Sequence, residues 1–216
     1  MAKLLHIDSS SSVHSVSRKL AAEFRAVWEK EHPEGTVTYR DLAADPVPHP
    51  DHDAVLTLMS PPQTERQQAA AALHEELVAE LLAADAVLIS APMYNWTIPS
   101  TLKAWLDQSL VLGRTLPFDP SHQPLGGRPA TVLLAYGGGY GEGSPDADMD
   151  HCAPYLRTVL GKVLGYELEL ITVEHTLAAF TAKDPAEQAK GFASLRSAEA
   201  AVAERAQRVA ESLVQA

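Results

Sequence analysis

Five short strand-like runs, apolar or alternating apolar with polar residues and interleaved with stretches of helical spacing, constrain this chain more than anything else in it. The runs are residues 3–7, 36–42, 86–89, 130–136 and 167–173. Each has the length of a strand, and several are rich in β-branched residues. Residues 130–136 are apolar throughout, as a strand covered on both faces must be. Residues 18–31 place Leu20, Phe24, Val27 and Trp28 on one helical face, and residues 63–84 do the same with Leu73, Leu77, Leu81 and Leu82. A further helix is expected from Pro99 to about Leu112, ended by Gly113, with Leu102, Trp105 and Leu106 inward. Residues 146–165 contain the next, marked by Tyr155, Leu156, Val159, Leu160 and Val163. A long terminal helix over 185–214 carries Phe192, Leu195, Val202, Val209 and Leu213. The segment 43–62 is proline-rich, with a short helix expected over 53–59. This alternation specifies an α/β fold: a doubly wound five-stranded parallel sheet with helices on both faces and right-handed crossovers. Ligands of such sheets bind at the carboxyl ends of the strands.

Three strand-ending loops have unusual compositions. The first reads Asp8-Ser9-Ser10-Ser11-Ser12-Val13-His14-Ser15-Val16-Ser17, with Ser17 the expected cap of the helix that follows. Hydroxyls and a helix N-terminus after the first strand favour an anion. Neither the G-x-G-x-x-G of dinucleotide folds nor the nucleoside-triphosphate loop is present, so a monophosphate fits best. The second loop, Pro92-Met93-Tyr94-Asn95-Trp96-Thr97-Ile98-Pro99, offers two flat aromatic faces and one amide between stiffening prolines. The third, Tyr136-Gly137-Gly138-Gly139, lets backbone approach a ligand closely. Phosphate at the first loop and a flat ring against the other two describe a flavin mononucleotide.

Composition removes several other functions. Lys plus Arg is 17 against 28 Asp plus Glu, a net charge of −11, which disfavours nucleic acid and anionic membrane surfaces. One cysteine, Cys152, excludes an intrachain disulfide and fits a reducing compartment. No run approaches the roughly 18 apolar residues of a membrane span, and the first residues have too short an apolar stretch for a signal peptide. A single domain over 1–216, soluble and cytoplasmic, is the expectation. His49-Pro50-Asp51-His52-Asp53 lacks the helical i, i+4 spacing of zinc motifs, and no metal is expected. A serine hydrolase would need G-x-S-x-G, which is missing. Cys152 and Arg157 both fall in a helical segment rather than an anion-cradling loop, which leaves Cys152 a structural thiol.

The second loop, with Leu102-Lys103 behind it, resembles the P-M-Y-N-[FW]-x-I-P-x-x-L-K of the FMN-dependent NADH azoreductases, also described as NADH:quinone oxidoreductases, of flavodoxin-like fold. The similarity extends over essentially the whole chain. It implies that Met93, Tyr94, Asn95 and Trp96 lie along the flavin ring, and that Ser10 and Ser15-Val16-Ser17 hold its phosphate. Where the family reads S-R-G-G, this chain has Tyr136, Gly137, Gly138 and Gly139, so backbone contacts alone are carried over. The resemblance also implies bound FMN, NADH as donor and a quinone or azo acceptor, with two-electron ping-pong transfer. The flavin carries that chemistry, so no side chain is assigned as acid or base. It further implies a homodimer with the site at the interface, and aligns Phe118 with an aromatic facing the substrate. A flavodoxin-like electron carrier without direct NADH turnover is the rival reading.

Overall fold

The computed structural model of the chain describes residues 1–119 and 121–214; Pro120, in the long connector before the fourth strand, lies outside the described residues. Strands β1 (Lys3–Asp8), β2 (Thr36–Asp41), β3 (Ala86–Pro92), β4 (Pro129–Ala135) and β5 (Glu167–Val173) form one sheet. All neighbours are parallel, in the order β2-β1-β3-β4-β5. This is the doubly wound flavodoxin-like order. Leu4 lies opposite Val37 on one side and Ala86 on the other. The chain therefore leaves β1 toward β2 and returns beyond it to β3. That reversal opens a crevice at the carboxyl ends of β1 and β3.

The two-residue period of the strands sorts the core into two layers. Leu5, Ile7, Val87, Ile89, Val132 and Leu134 face one way. Helices α3 (Glu65–Ala83), α4 (Ser100–Ser109) and α5 (Ala153–Leu156) cover them with Leu77, Leu81, Trp105 and Leu156. Leu4, Leu88 and Leu133 face α1 (Val16–Glu31) and α7 (Pro185–Val214), which bury Leu20, Phe24, Trp28, Val202 and Val209. Trp28 and Trp105, one in each layer, are fully buried. Truncating either to alanine costs about 3–5 kcal/mol. Two short helices complete the fold, α2 (His52–Thr57) and α6 (Thr176–Thr181). Among the described residues, no helix is long and apolar enough to cross a membrane.

Four local expectations change. Ser15, not Ser17, caps α1: its backbone is extended and its hydroxyl accepts from the Arg18 N–H at 3.2 Å. Ser17 instead sits buried in the first turn. Helix α4 stops at Ser109 rather than Leu112, because the Thr115 hydroxyl donates to the Ser109 carbonyl and accepts from the Val111 N–H. The helix expected within 146–165 occupies only part of that segment. Asp150 Oδ1 accepts from the N–H groups of Cys152 and Ala153, so helix begins only there. After a 3₁₀ turn (Ala147–Met149) and α5, the chain widens into a π-helical stretch, Arg157–Val163. Finally, α6 was not expected, although Leu177 and Phe180 have helical spacing.

Candidate functional site

The three special loops meet at one end of the sheet. They open on a cavity of about 920 Å³, a size typical of small-molecule and cofactor sites. Its polar end is the serine loop with Ser10, Ser12, His14, Ser15 and Val16; its apolar end is Met93, Leu177, Phe180 and Leu195. Tyr94, Gly137, Lys19 and Thr176 also line it. The site therefore has one end suited to an anion and one suited to an apolar ring.

The serine loop is anchored from below. Ser9 donates to the Ser90 carbonyl through both its N–H (3.1 Å) and its hydroxyl (2.8 Å), tying the loop to the end of β3. Within the loop, the Ser12 N–H meets the Ser10 hydroxyl at 3.3 Å and the His14 N–H meets the Ser12 hydroxyl at 3.1 Å. The cap on Arg18 leaves the N–H groups of Val16 and Ser17 without a partner among the described residues. Free first-turn N–H groups with the helix dipole behind them form an anion seat. No acidic residue occupies that first turn to oppose it.

Beneath the loop, the β1 terminus carries a buried carboxylate, Asp8. It accepts from Ser90, from Tyr39 at 2.7 Å and from Arg18 at 3.3 Å, with His6 Nε2 at 3.2 Å. Burial alone would raise its pKa, but the bonds from His6, Ser90 and Tyr39 hold it below the ordinary value. Partial burial, together with the bond to Asp8, pushes the phenol of the half-exposed Tyr39 up to about 12. The Arg18 guanidinium, bound to Asp41, holds that carboxyl down at about 2.

The second loop is a tight hairpin. Tyr94 and Thr97 exchange N–H···O bonds of 2.9 and 3.2 Å, and the two residues between them, Asn95 and Trp96, have φ of 49° and 66°. These are the signs of a type I′ turn. Asparagine tolerates the left-handed region, whereas a tryptophan there is strained. The turn presents Trp96 with 46% of its surface exposed. Tyr94 does not lie flat along the loop: its hydroxyl reaches back and accepts from the Ser11 N–H at 3.1 Å. On the far side of the hairpin a second cavity, about 560 Å³, is lined by Asn95, Ile98, Lys103 and Tyr155.

The third loop is shaped by its neighbour α6. The carbonyls of Tyr136, Gly137 and Gly138 accept from the N–H groups of Thr176, Leu177 and His175. The N–H groups of Gly137, Gly138 and Gly139 have no partner among the described residues. The loop's acceptors are thus committed to the chain and its donors are free. A Cβ on Gly139 would lie 2.5 Å from the His175 ring, and one on Gly137 would lie 2.8 Å from Leu177. The glycines therefore make room for α6 as much as for any ligand.

Of the residues singled out in the sequence, Ser10, Ser15, Val16, Met93, Tyr94 and Gly137 line the large cavity. Asn95 lines the second. The Ser17 hydroxyl bonds Ser15 at 3.1 Å. The Tyr136 side chain turns away into the core and donates to Asp150 at 3.0 Å, and burial pushes its phenol well above the ordinary value. Phe118 is 78% exposed and folds over Gly113, away from the lining of either cavity. The sequence reading missed the α6 wall and the Asp8–Arg18–Asp41 cluster. Arg18 directly after the serine loop was the available signal.

The chain is similar to known proteins. A family model described as flavodoxin-like fold matches residues 2–209. The FMN-dependent NADH:quinone oxidoreductase of Streptomyces avermitilis is 50% identical over 183 residues, covering 83% of this chain and 83% of the relative. That of Streptomyces coelicolor is 51% identical over 182 residues, covering 82% of this chain and 81% of the relative. Among solved structures, an azoreductase from Bacillus anthracis superposes with a TM-score of 0.84 at 24% identity, covering 96% of this chain and 100% of that one. At that identity the likeness is one of fold.

Proposed function

The chain belongs to the FMN-dependent NADH:quinone oxidoreductases of flavodoxin-like fold, and from this premise we propose that it binds FMN and uses NADH to reduce quinones and azo compounds. The observation that carries the reading is the pairing of free donors with an apolar wall in one cavity. Of the cavity-lining residues, Val16 and Gly137 have N–H groups without a partner among the described residues, and the unpartnered N–H groups of Ser17, Gly138 and Gly139 adjoin them in sequence. Met93, Leu177 and Phe180 supply the apolar surface. These residues fit the cofactor: an anionic tail, a polar-edged ring and an apolar face each find a matching surface.

When bound, FMN supplies the two-electron chemistry that couples a reduced nicotinamide to an electron-poor acceptor. The chain's part is to bind and orient. The α1 N-terminus and the serine hydroxyls would receive the phosphoryl group. The hairpin would hold the ring from one side through Met93 and Tyr94, which line the cavity. The N–H groups of the glycine loop supply fixed dipoles that favour negative charge on a ligand beside them. Donor and acceptor would use the same exposed face in turn.

A homodimer belongs to the same reading. Trp96 and Phe118 leave large aromatic surfaces exposed on the isolated chain, as residues meant to meet a partner would. The buried free thiol of Cys152, pushed up to about 12 by burial, is inert and fits a reducing compartment such as the cytoplasm. The test is steady-state turnover of the FMN-reconstituted protein with NADH and a water-soluble quinone, then an azo dye. The reading expects NADH consumption that requires both FMN and acceptor. No acceleration over free FMN contradicts it.

A further inference from the structure

Arg18 follows the serine loop directly, and its charge invites pairing with the phosphoryl group. Its contacts run the other way. Nη1 and Nη2 grip Asp41 at 2.7 and 2.5 Å, and Nη1 reaches Asp8 and the Tyr39 hydroxyl, each at 3.3 Å. Nε and Nη2 both donate to the Ser10 carbonyl oxygen, at 3.0 and 2.7 Å. Two carboxylates thus face one guanidinium, and its fork of donors is spent within the chain.

What Arg18 holds is a peptide. In a trans peptide the C=O and N–H point in opposite directions, so fixing the Ser10 carbonyl also aims the Ser11 N–H. That N–H meets the Tyr94 hydroxyl at 3.1 Å. The hydroxyl accepts there and keeps its own proton to donate. Its contact with the Ser10 hydroxyl, 3.5 Å, is too long to engage that proton firmly. We propose that Arg18 is a positioning residue: it locks the Ser10–Ser11 peptide, registers the serine loop against the Tyr94 hydroxyl, and does not itself pair with the phosphoryl group. This rests on the FMN reading above.

The experiment titrates FMN and riboflavin, which differ by the phosphoryl group, into the full-length apoprotein at low and high salt. Wild type is compared with Arg18→Lys, which keeps the charge and loses the fork. The expected result is FMN binding weakened about tenfold or more, riboflavin binding changed less than about threefold, and an unaltered salt dependence. Wild-type affinity in Arg18→Lys, or a salt dependence that falls with the affinity, overturns the proposal in favour of direct charge pairing. Equal losses for both flavins overturn it in favour of general structural support. If Arg18→Lys does not fold, Tyr39→Phe removes the hydroxyl between Arg18 and Asp8. A loss of about threefold for FMN alone is then expected, and no loss overturns the proposal. Wild-type protein that binds neither flavin overturns the FMN reading itself, and this inference with it.

Discussion

The β1 side and the β4 side of the cavity are built by opposite means. On the β1 side, polar groups far apart in sequence fix the serine loop: Asp8, Arg18, Tyr39 and Asp41 below it, Ser90 and Tyr94 beside it. On the β4 side, three glycines without side chains take their shape from α6, through backbone bonds and the close approach of Leu177 and His175. The first side is ordered by charge and hydrogen bonds, the second by contact. A site can therefore be rigid at its anionic end through satisfied polar networks, and shaped at its apolar end by the room that glycines leave.

The largest test of this contrast is Asp8→Ala. It strips Arg18, Tyr39, Ser90 and His6 of a shared buried acceptor, and about 3 kcal/mol or more of stability is expected to go in urea unfolding. An unchanged midpoint would mean that charge does not hold the β1 side. Next is Gly139→Ala, whose Cβ would fall 2.5 Å from the His175 ring, on a residue already at φ 56°. About 2 kcal/mol is expected from it, against under about 1 kcal/mol for Gly137→Ala, where the obstacle is a leucine methyl free to rotate. Equal costs in thermal unfolding would remove the packing account of the β4 side.

Acid sharpens the same comparison. Asp41 titrates at about 2 in the fold against an ordinary 3.8, so its contribution is fully present above pH 4 and lost as pH falls towards 2. Wild type should therefore lose about 1 kcal/mol more than Asp41→Asn over that window, after allowance for solvent screening of a part-exposed pair. Parallel acid curves for the two proteins would dissolve the Arg18–Asp41 contribution. The smallest expected effect is Trp96→Gly. Relief of φ 66° should raise stability by about 0.5–1 kcal/mol while flavin affinity falls. A variant that is less stable would show that Trp96 is held by packing and carries no strain.

The strands and long helices were readable because burial on both sheet faces imposes a period on each segment separately. The three loops were readable for a related reason: each follows a strand and has a composition no plain connector needs. What escaped was cooperative. Nothing local ties Asp8 to Arg18 and Asp41, which come together only once β1, β2 and α1 are packed. The hairpin was hidden because Asn-Trp does not carry the Asn-Gly signature of a type I′ turn. Ser17 was the expected cap, but the hydroxyl aimed at the Arg18 N–H belongs to Ser15. The glycines at 137–139 were noticed for their freedom towards a ligand, while their carbonyls and missing side chains serve α6.

The central claim is that these loops hold a flavin where NADH can reach it. The direct measurement is the visible absorption spectrum of the FMN-loaded protein during anaerobic addition of NADH. The account expects the flavin bands to bleach with one equivalent of NADH and to return when a quinone is added. Flavin that stays oxidised would contradict it and leave the fold serving an electron carrier with another donor.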